Sequence, residues 1–327
     1  MGSTVTEALS SWFPGRVVPA GRDGVRARQL GGVRVDVGDS AGFRRVLDEL
    51  GDVSVVVLCV EPADTGLARI CLERGIHLVD VGATRRLLEG VADLQDLAAG
   101  AGATAVLSVG VAPGLSNLLA RRVNEAVGGA ELIDLTVLLG SGERHGTDAV
   151  KWTVAGLGEP VTASPRRVSL PGHGNRTAHP FPFSDQYTLR RTLGVPEVTT
   201  RLCLDSRPLT AALFALRRTG LLRGPGRARQ QQLLTSAFSR VHLGGDGFAV
   251  RADARRGTRH AALALTGYGQ SRATGLVAAH VVRALLTKAL PTGVHHLEQL
   301  AALADLPEQL ASHGVSVQRL RGSGCGS

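Results

Sequence analysis

Three side chains in the sequence have the chemistry needed to move a proton. Asp80 ends the β-rich run HLVDVGAT (77–84), and a carboxyl at such a strand end can orient a substrate or relay a proton. Lys151 is one of two lysines in a chain that otherwise uses arginine, and a buried lysine, unlike arginine, can lose its proton. His145 lies in the same segment, HGTDAVKWTVAGLG, and is a third candidate acid or base. The alternatives are a turn cap for Asp80 and, as the interpretation that we favour for Lys151, an exposed helix position.

Other catalytic motifs are missing from the sequence. The ten histidines show no HExxH or comparable spacing, so we predict no bound metal. The sequence contains no G-x-S-x-G elbow, no P-loop and no Ser-x-x-Lys pair. Gly267 and Gly269 follow an apolar run, but Arg272 stands where a third glycine would be needed for a nucleotide-binding turn. We therefore interpret that turn as a simple return of the chain.

Composition predicts a soluble globular protein of two domains. The chain has 327 residues, of which 43% are hydrophobic and 20% charged. Its longest apolar run, 53–60, is too short to span a bilayer, and its N-terminus shows no secretion signal, so we expect a cytoplasmic protein without a membrane partner. The net charge of +9 comes almost wholly from arginine, and the aromatic content is 3%. We therefore predict no nucleic-acid partner, with a basic binding surface in 217–259 as the alternative.

The elements that must position these residues change in type along the chain. Up to about residue 125, short β-rich runs alternate with helical segments, which predicts a doubly wound parallel sheet. Residues 126–266 contain several strand-like runs with few helices, which predicts a second, α+β domain with an antiparallel sheet. We expect residues 267–320 to return to the first domain as helices and residues 321–327 to form a disordered tail. The strands predicted in the first domain cover 16–22, 33–39, 53–60, 77–84 and 104–110.

Five short motifs in this order resemble those of one enzyme family. They are AGRD, VDVGD, VVLCVEP, HLVDVGAT and GVAPGLSNLLA, and the last of them is the most specific. The chain resembles the saccharopine dehydrogenase-like NAD(P)-dependent oxidoreductases. The resemblance implies a Rossmann-like dinucleotide-binding domain followed by a substrate and dimerisation domain. It also implies a homodimer that transfers a hydride to or from a carbonyl or imine carbon of a small substrate.

The resemblance also implies a cofactor preference, which depends on the residue that follows the second strand. Arg22 stands where an acidic residue would bind the ribose 2′-hydroxyl of NAD, and arginine suits the 2′-phosphate of NADP. The neighbouring Asp23 favours NAD instead. We expect NADP rather than NAD, with a solvated turn arginine as the alternative.

Further candidate ligands follow from the positions that the same family uses. Asp36 and Val37 would touch the adenine, while Val60, Glu61 and Pro62 would line the cofactor crevice. The structural alternatives are a surface role for Asp36 and a strand-ending role for Pro62. Gly82 would lie near the nicotinamide. The turn of Pro113, Gly114 and Asn117 would border the substrate, and the N-terminus of the following helix would favour a substrate carboxylate. The alternative is that this turn has a structural role alone.

The start of the sequence departs from the family pattern. Gly2 stands where the last glycine of G-x-G-x-x-G would stand, so the sequence lacks the first strand and two glycines of that motif. Our hypothesis is that Met1 is a mis-called start and that roughly ten upstream residues supply the central strand. As given, the chain should bind the cofactor weakly. The rival interpretation is a cofactor-free Rossmann-like scaffold or regulatory protein.

Overall fold

The protein divides into two compact units. The computed structural model describes residues 1–143, 147–219, 230, 232, 234–236 and 244–320. Unit 1 contains residues 1–110 and 274–306, and unit 2 contains residues 111–273 and the chain from 307 onward. A parallel sheet lies in unit 1 and a second, larger sheet in unit 2, so the predicted α/β class is confirmed. The predicted tail, 321–327, lies outside the described residues.

The first 110 residues alternate short strands with helices, as the sequence predicts. Aspartate side chains begin two of the helices, since Asp23 accepts the amide of Val25 and Asp39 accepts the amide of Gly42. The elements are α1 (Gly2–Trp12), β1 (Ala20–Gly21), α2 (Gly24–Gln29), β2 (Val33–Arg34), α3 (Ser40–Leu50), β3 (Val55–Leu58), α4 (Gly66–Glu73), β4 (His77–Asp80), α5 (Arg85–Ala92), α6 (Gln95–Gly100) and β5 (Thr104–Leu107).

The next segment contains longer strands and further helices. A tight turn, Val111–Leu115, precedes its first helix. The elements are α7 (Ser116–Val127), β6 (Leu132–Leu139), α8 (Thr147–Gly158), β7 (Arg166–Leu170), β8 (Gly174–Pro180), α9 (Asp185–Thr192), β9 (Glu197–Leu204), α10 (Arg207–Arg218), β10 (Gly247–Arg256) and β11 (Arg259–Tyr268).

The last segment contains strands as well as the helices that the sequence predicts. The long helix α11 (Gln270–Thr287) is followed by β12 (Gly293–His296), α12 (Leu306–Gln309) and β13 (Ser316–Leu320). Strand β12 joins the sheet of unit 1 beside β5, and β13 joins the sheet of unit 2 beside β11. None of the described helices combines the length and the apolar character needed to cross a membrane.

The sheet of unit 1 has the order β12-β5-β4-β3, and every pairing in it is parallel. All four residues of β5 are buried, as expected for a strand covered on both faces. In β3, by contrast, Val55, Val56 and Val57 are only partly buried. Among the described strands, β3 pairs only with β4, so this side of the sheet is an open edge.

Strands β1 and β2 form a separate parallel pair and are much shorter than predicted. The predicted strand 16–22 is reduced to β1, and 33–39 is reduced to β2. Asp36 accepts the amide of Gly38, and Asp39 caps α3, so these side chains bind the backbone as a turn where a strand would continue. Strand β1 pairs with β2 alone among the described strands. Strands β1 and β3, which were expected to flank a central strand, therefore pair with no such strand among the described residues.

Unit 2 contains a seven-stranded sheet with the order β13-β11-β10-β6-β9-β8-β7. The prediction of an antiparallel sheet is wrong for one pair, because β6 and β9 run parallel. The chain between them passes through α8, the β7–β8 hairpin and α9, which lets it re-enter the sheet in the same direction. Buried aromatic side chains pack beside this sheet, with the Phe181 and Phe183 ring centroids 5.3 Å apart and Trp152 against both.

Candidate functional site

Four side chains follow the strands of the unit 1 sheet at its carboxyl edge. Cys59 follows β3, Asp80 ends β4, Ser108 follows β5 and His296 ends β12. Because parallel strands place their carboxyl ends at the same edge, these residues lie along one border of the sheet. Ligands of open α/β sheets bind at this border.

Asp80 is the buried acid of this edge. Its side chain is only 3% exposed, and its Oδ1 accepts the amide of Gly82 at 2.7 Å. Burial raises the pKa of Asp80 to about 6, while the hydrogen bond from Gly82 lowers it and the charge of Glu61 raises it further. With Oδ1 occupied by the Gly82 amide, the proton of the neutral acid belongs on Oδ2. Asp80 can therefore hold a proton in mildly acidic conditions and release it near neutrality.

Gly82 lacks a side chain for a reason that the structure shows. A Cβ added at this position would lie 2.9 Å from Oδ1 of Asp80. Any other residue would therefore push against the carboxylate that the Gly82 amide holds. The predicted contact of Gly82 with a cofactor stays a prediction.

The segment after β3 lies beside Asp80 and the start of α1. Glu61 is near enough to raise the pKa of Asp80, and Val60 is 48% exposed. A Cβ added at Gly2 would be 3.8 Å from the Cβ of Cys59, so α1 begins next to the end of β3. Burial raises the pKa of the Cys59 thiol to about 11, which keeps it protonated at neutral pH. Pro62 is partly buried in the same segment.

Ser108 and His296 form a pair that sequence reasoning missed. Ser108 is fully buried, and its Oγ lies 2.9 Å from Nδ1 of His296. Its φ of +57° is the left-handed conformation, which no other non-glycine residue in the described part of the chain adopts. The His296 side chain also accepts the amide of Gln299. The two residues are 188 positions apart, so no local pattern could have joined them.

Arg22 lies at the end of β1 with its side chain exposed. Its carbonyl oxygen accepts Nε of Arg34 at 3.3 Å, which brings a second guanidinium to this position. Oδ1 of Asp23 accepts the amides of Val25 and Arg26 at 3.0 and 3.1 Å as the cap of α2. The acidic neighbour of Arg22 thus has a structural role at the start of that helix.

Asp36 and Val37 lie in the turn after β2. Asp36 is exposed, and its Oδ1 accepts the amide of Gly38 at 3.0 Å. Val37 is partly buried and packs against the core of unit 1. Each has a structural role here, and their contact with an adenine stays a prediction.

In unit 2, the three residues predicted to border a substrate come together in one buried turn. Gly114 has a φ of +135°, which favours glycine, and its amide donates to Oδ1 of Asn117 at 3.2 Å. Pro113 and Asn117 are buried with it. Behind the turn, Ser116 Oγ lies 3.2 Å from Oδ2 of Asp185, a buried acid that sequence reasoning missed.

The other two proton-transfer candidates are Lys151 and His145. Lys151 is exposed on α8, as the favoured interpretation of the sequence expects. His145 lies outside the described residues. Within the described part of the chain, no three His, Cys, Asp or Glu side chains are placed to hold a metal ion.

No protein-family model matches the chain. Solved structures to which it is similar include the DAP dehydrogenase of C. glutamicum in complex with DAP, at 14% identity and a TM-score of 0.47, covering 94% of this chain and 95% of that one. The amine dehydrogenase from Mycobacterium smegmatis is 12% identical, with a TM-score of 0.44 over 90% of this chain and 93% of that one. An engineered D-amino acid dehydrogenase bound to NADP+ is 14% identical, with a TM-score of 0.43 over 86% of each. Likenesses this remote assign no activity to the chain.

Proposed function

We propose that the chain is an NADP-dependent oxidoreductase of the saccharopine dehydrogenase-like type, acting on a carbonyl or imine carbon of a small substrate. The observation that carries the proposal is the buried Asp80, held by the Gly82 amide at the carboxyl edge of a parallel sheet. An acid whose pKa lies near 6 suits proton transfer close to neutral pH. The proposal includes the homodimer, the cytoplasmic location and the NADP preference that the sequence led us to expect.

The residues of this edge fit a dinucleotide. The first turn of α1 lies beside Cys59, and helix N-termini at this edge favour a pyrophosphate. Glycine at position 2 leaves room there for a close approach. The exposed Arg22, together with Arg34, whose Nε donates to the carbonyl oxygen of Arg22, supports binding of a ribose 2′-phosphate. When bound, the nicotinamide would supply or accept the hydride, and Asp80 would hold the proton at Oδ2.

The cofactor preference is tested by the affinities for NADPH and NADH, measured by titration calorimetry. Replacing Arg22 with alanine should weaken NADPH binding by roughly 10- to 100-fold, because charged hydrogen bonds are worth about 1.5–3 kcal/mol. NADH binding should change little. The matched control is Arg28→Ala, an exposed arginine of α2. Equal losses for both nucleotides, or equal losses in both variants, would contradict the assignment of Arg22.

We also propose that the cofactor-binding form has a further parallel strand between β1 and β3. The support is the open edge of β3, whose three valines are only partly buried, and the isolation of the β1–β2 pair. The test compares this chain with a version extended upstream through its reading frame. The extended version should bind NADPH at least roughly tenfold more tightly, since it adds backbone amides for the pyrophosphate. Equal affinities would refute this part of the proposal.

A second candidate function is a cofactor-free scaffold or regulatory protein. The same open edge favours it, because the described residues beside β3 include no glycine loop that supplies the main phosphate-binding amides. The two candidates separate by binding. If neither the chain nor the extended version binds NADPH or NADH, the oxidoreductase proposal is refuted and the scaffold is favoured.

A further inference from the structure

A buried carboxylate joins three elements behind the turn Val111–Leu115. Asp185 begins α9 and is fully buried. Its Oδ1 accepts the hydroxyl of Thr200 from β9 at 2.6 Å, and its Oδ2 lies 3.2 Å from the hydroxyl of Ser116 at the start of α7. The amide of Gln186 donates to the same carboxylate. All four groups belong to unit 2.

The donors to Asp185 are uncharged. The main elements packed against α9 are β9, α7 and the turn Val111–Leu115, and the turn itself contains no charged residue. Some charged side chains of β9 and α7 form ion pairs with other groups: Arg201 with Asp134, Arg121 with Glu125 and Arg122 with Glu308. The others lie at the ends of their elements, Glu197 at the start of β9 and Arg190 and Arg191 in the last turn of α9. Burying an ionised carboxylate without a counter-charge is costly, and an amide would serve a purely structural role at lower cost. The chain keeps a group that can change its protonation state.

The hydroxyl of Ser116 connects this carboxylate to the turn. It has one proton and two acceptors at the same distance, because Oδ2 of Asp185 and Oδ1 of Asn117 are each 3.2 Å away. Oδ1 of Asn117 is also the acceptor for the Gly114 amide. The direction of the Ser116 hydroxyl therefore decides whether the Gly114 amide shares its acceptor.

The protonation state of Asp185 sets that direction. An ionised Asp185 attracts the Ser116 proton, because a charge-assisted hydrogen bond is the stronger one, and draws it away from Oδ1 of Asn117, which accepts the Gly114 amide. A neutral Asp185 can instead donate its own proton to Ser116 Oγ. The Ser116 proton then turns to Asn117 and competes with the Gly114 amide.

We propose that Asp185 is a positioning residue that controls the hydrogen bond of the Gly114 amide through Ser116 and Asn117, and so tunes the affinity of this turn for substrate. The hydrogen-bond relay stands on the geometry alone. The effect on substrate rests on the proposed function, in which the turn borders the substrate.

The relay is tested by observing the Gly114 amide directly. Labelling proline carbonyls with ¹³C and glycine amides with ¹⁵N selects the four Pro–Gly pairs of the chain, which end at Gly15, Gly114, Gly172 and Gly226. Replacing Pro14, Pro171 and Pro225 in turn assigns the other three NMR signals. The Gly114 signal should shift in one step with a midpoint near pH 6, because burial raises the pKa of Asp185 to about 6.

Three variants make the result decisive. Asp185→Asn donates to Ser116 at every pH, so its Gly114 signal should stay near the low-pH position of the wild type. Ser116→Ala removes the connection and should abolish the step, which keeps the test valid if Asp185→Asn does not fold. Thr188→Val is the matched control, because it removes a buried hydroxyl of α9 that donates to the backbone carbonyl of Ser184. It should leave the step unchanged.

Two outcomes would overturn the proposal. One is a wild-type Gly114 signal without a step, and the other is a step that survives in Asp185→Asn or Ser116→Ala. The effect on substrate is measured separately. At high pH, Asp185→Asn should have the KM for substrate that the wild type has at low pH, while its kcat is unchanged. An unchanged KM would refute the effect on substrate. If the protein does not bind NADPH but the Gly114 signal still shifts with pH as expected, the proposed function is refuted and the hydrogen-bond relay is supported.

Discussion

Replacing Asp80 with asparagine should change how the stability of unit 1 depends on pH. The pKa of Asp80 rises from its ordinary 3.8 to about 6 on folding, mainly because the group is buried. Between those values the folded state binds more protons than the unfolded state, so the free energy of unfolding falls as pH rises. A rise of about two in pKa corresponds to a loss of about 3 kcal/mol, complete above about pH 7. Asparagine cannot ionise, and its side-chain oxygen can keep the bond from Gly82.

The quantity to measure is the difference in unfolding free energy between Asp80→Asn and wild type. It should favour the variant by about 2.4 kcal/mol more at about pH 7 than at about pH 4, because the unfolded Asp80 is already partly ionised at pH 4. Urea unfolding is followed by the fluorescence of Trp12, which packs against His280 in unit 1, in a Trp152→Phe background. Asp93→Asn, at an exposed position of the same unit, is the matched control. A difference that does not vary with pH would show that Asp80 is not a buried acid of raised pKa.

Two stability predictions test the other buried groups. Ser108→Gly should be more stable than Ser108→Ala by about 1–2 kcal/mol, because both variants lose the bond to His296 but only alanine must bear the left-handed backbone; equal stabilities, measured by urea unfolding, would contradict that backbone. Asp134→Ala should destabilise unit 2 by about 3–5 kcal/mol, because it leaves the buried Arg201 without its partner. Trp152 fluorescence in a Trp12→Phe background measures it. Arg166→Ala, which removes the more exposed partner of Asp134, should cost far less.

The sequence predicts best those elements whose cause is local. The apolar run 53–60 contains β3, because a short continuous apolar run by itself indicates a buried strand. The strands 16–22 and 33–39 were predicted too long because the sequence does not show which neighbours a strand's backbone will bind. In the structure β1 and β2 pair only with each other among the described strands, and β2 ends where aspartate side chains bind the backbone.

The candidate site divides in the same way. Asp80 and the turn at Gly114 could be predicted, because each belongs to a short motif that contains its own hydrogen bond. Ser108 and Asp185 could not, since their partners His296 and Ser116 lie 188 and 69 positions away along the chain. Only the folded chain brings these groups within hydrogen-bond distance.

The most direct test of the central claim is energy transfer from Trp12 to bound NADPH. Trp12 ends α1, about 16 Å along the helix from the Gly2 end where the pyrophosphate is placed. In a Trp152→Phe background, titration should quench the tryptophan emission and raise nicotinamide emission in a saturable way, more tightly for the extended version. If neither version gives a saturable signal and excess NADP+ displaces nothing, the carboxyl edge around Asp80 is not a dinucleotide site.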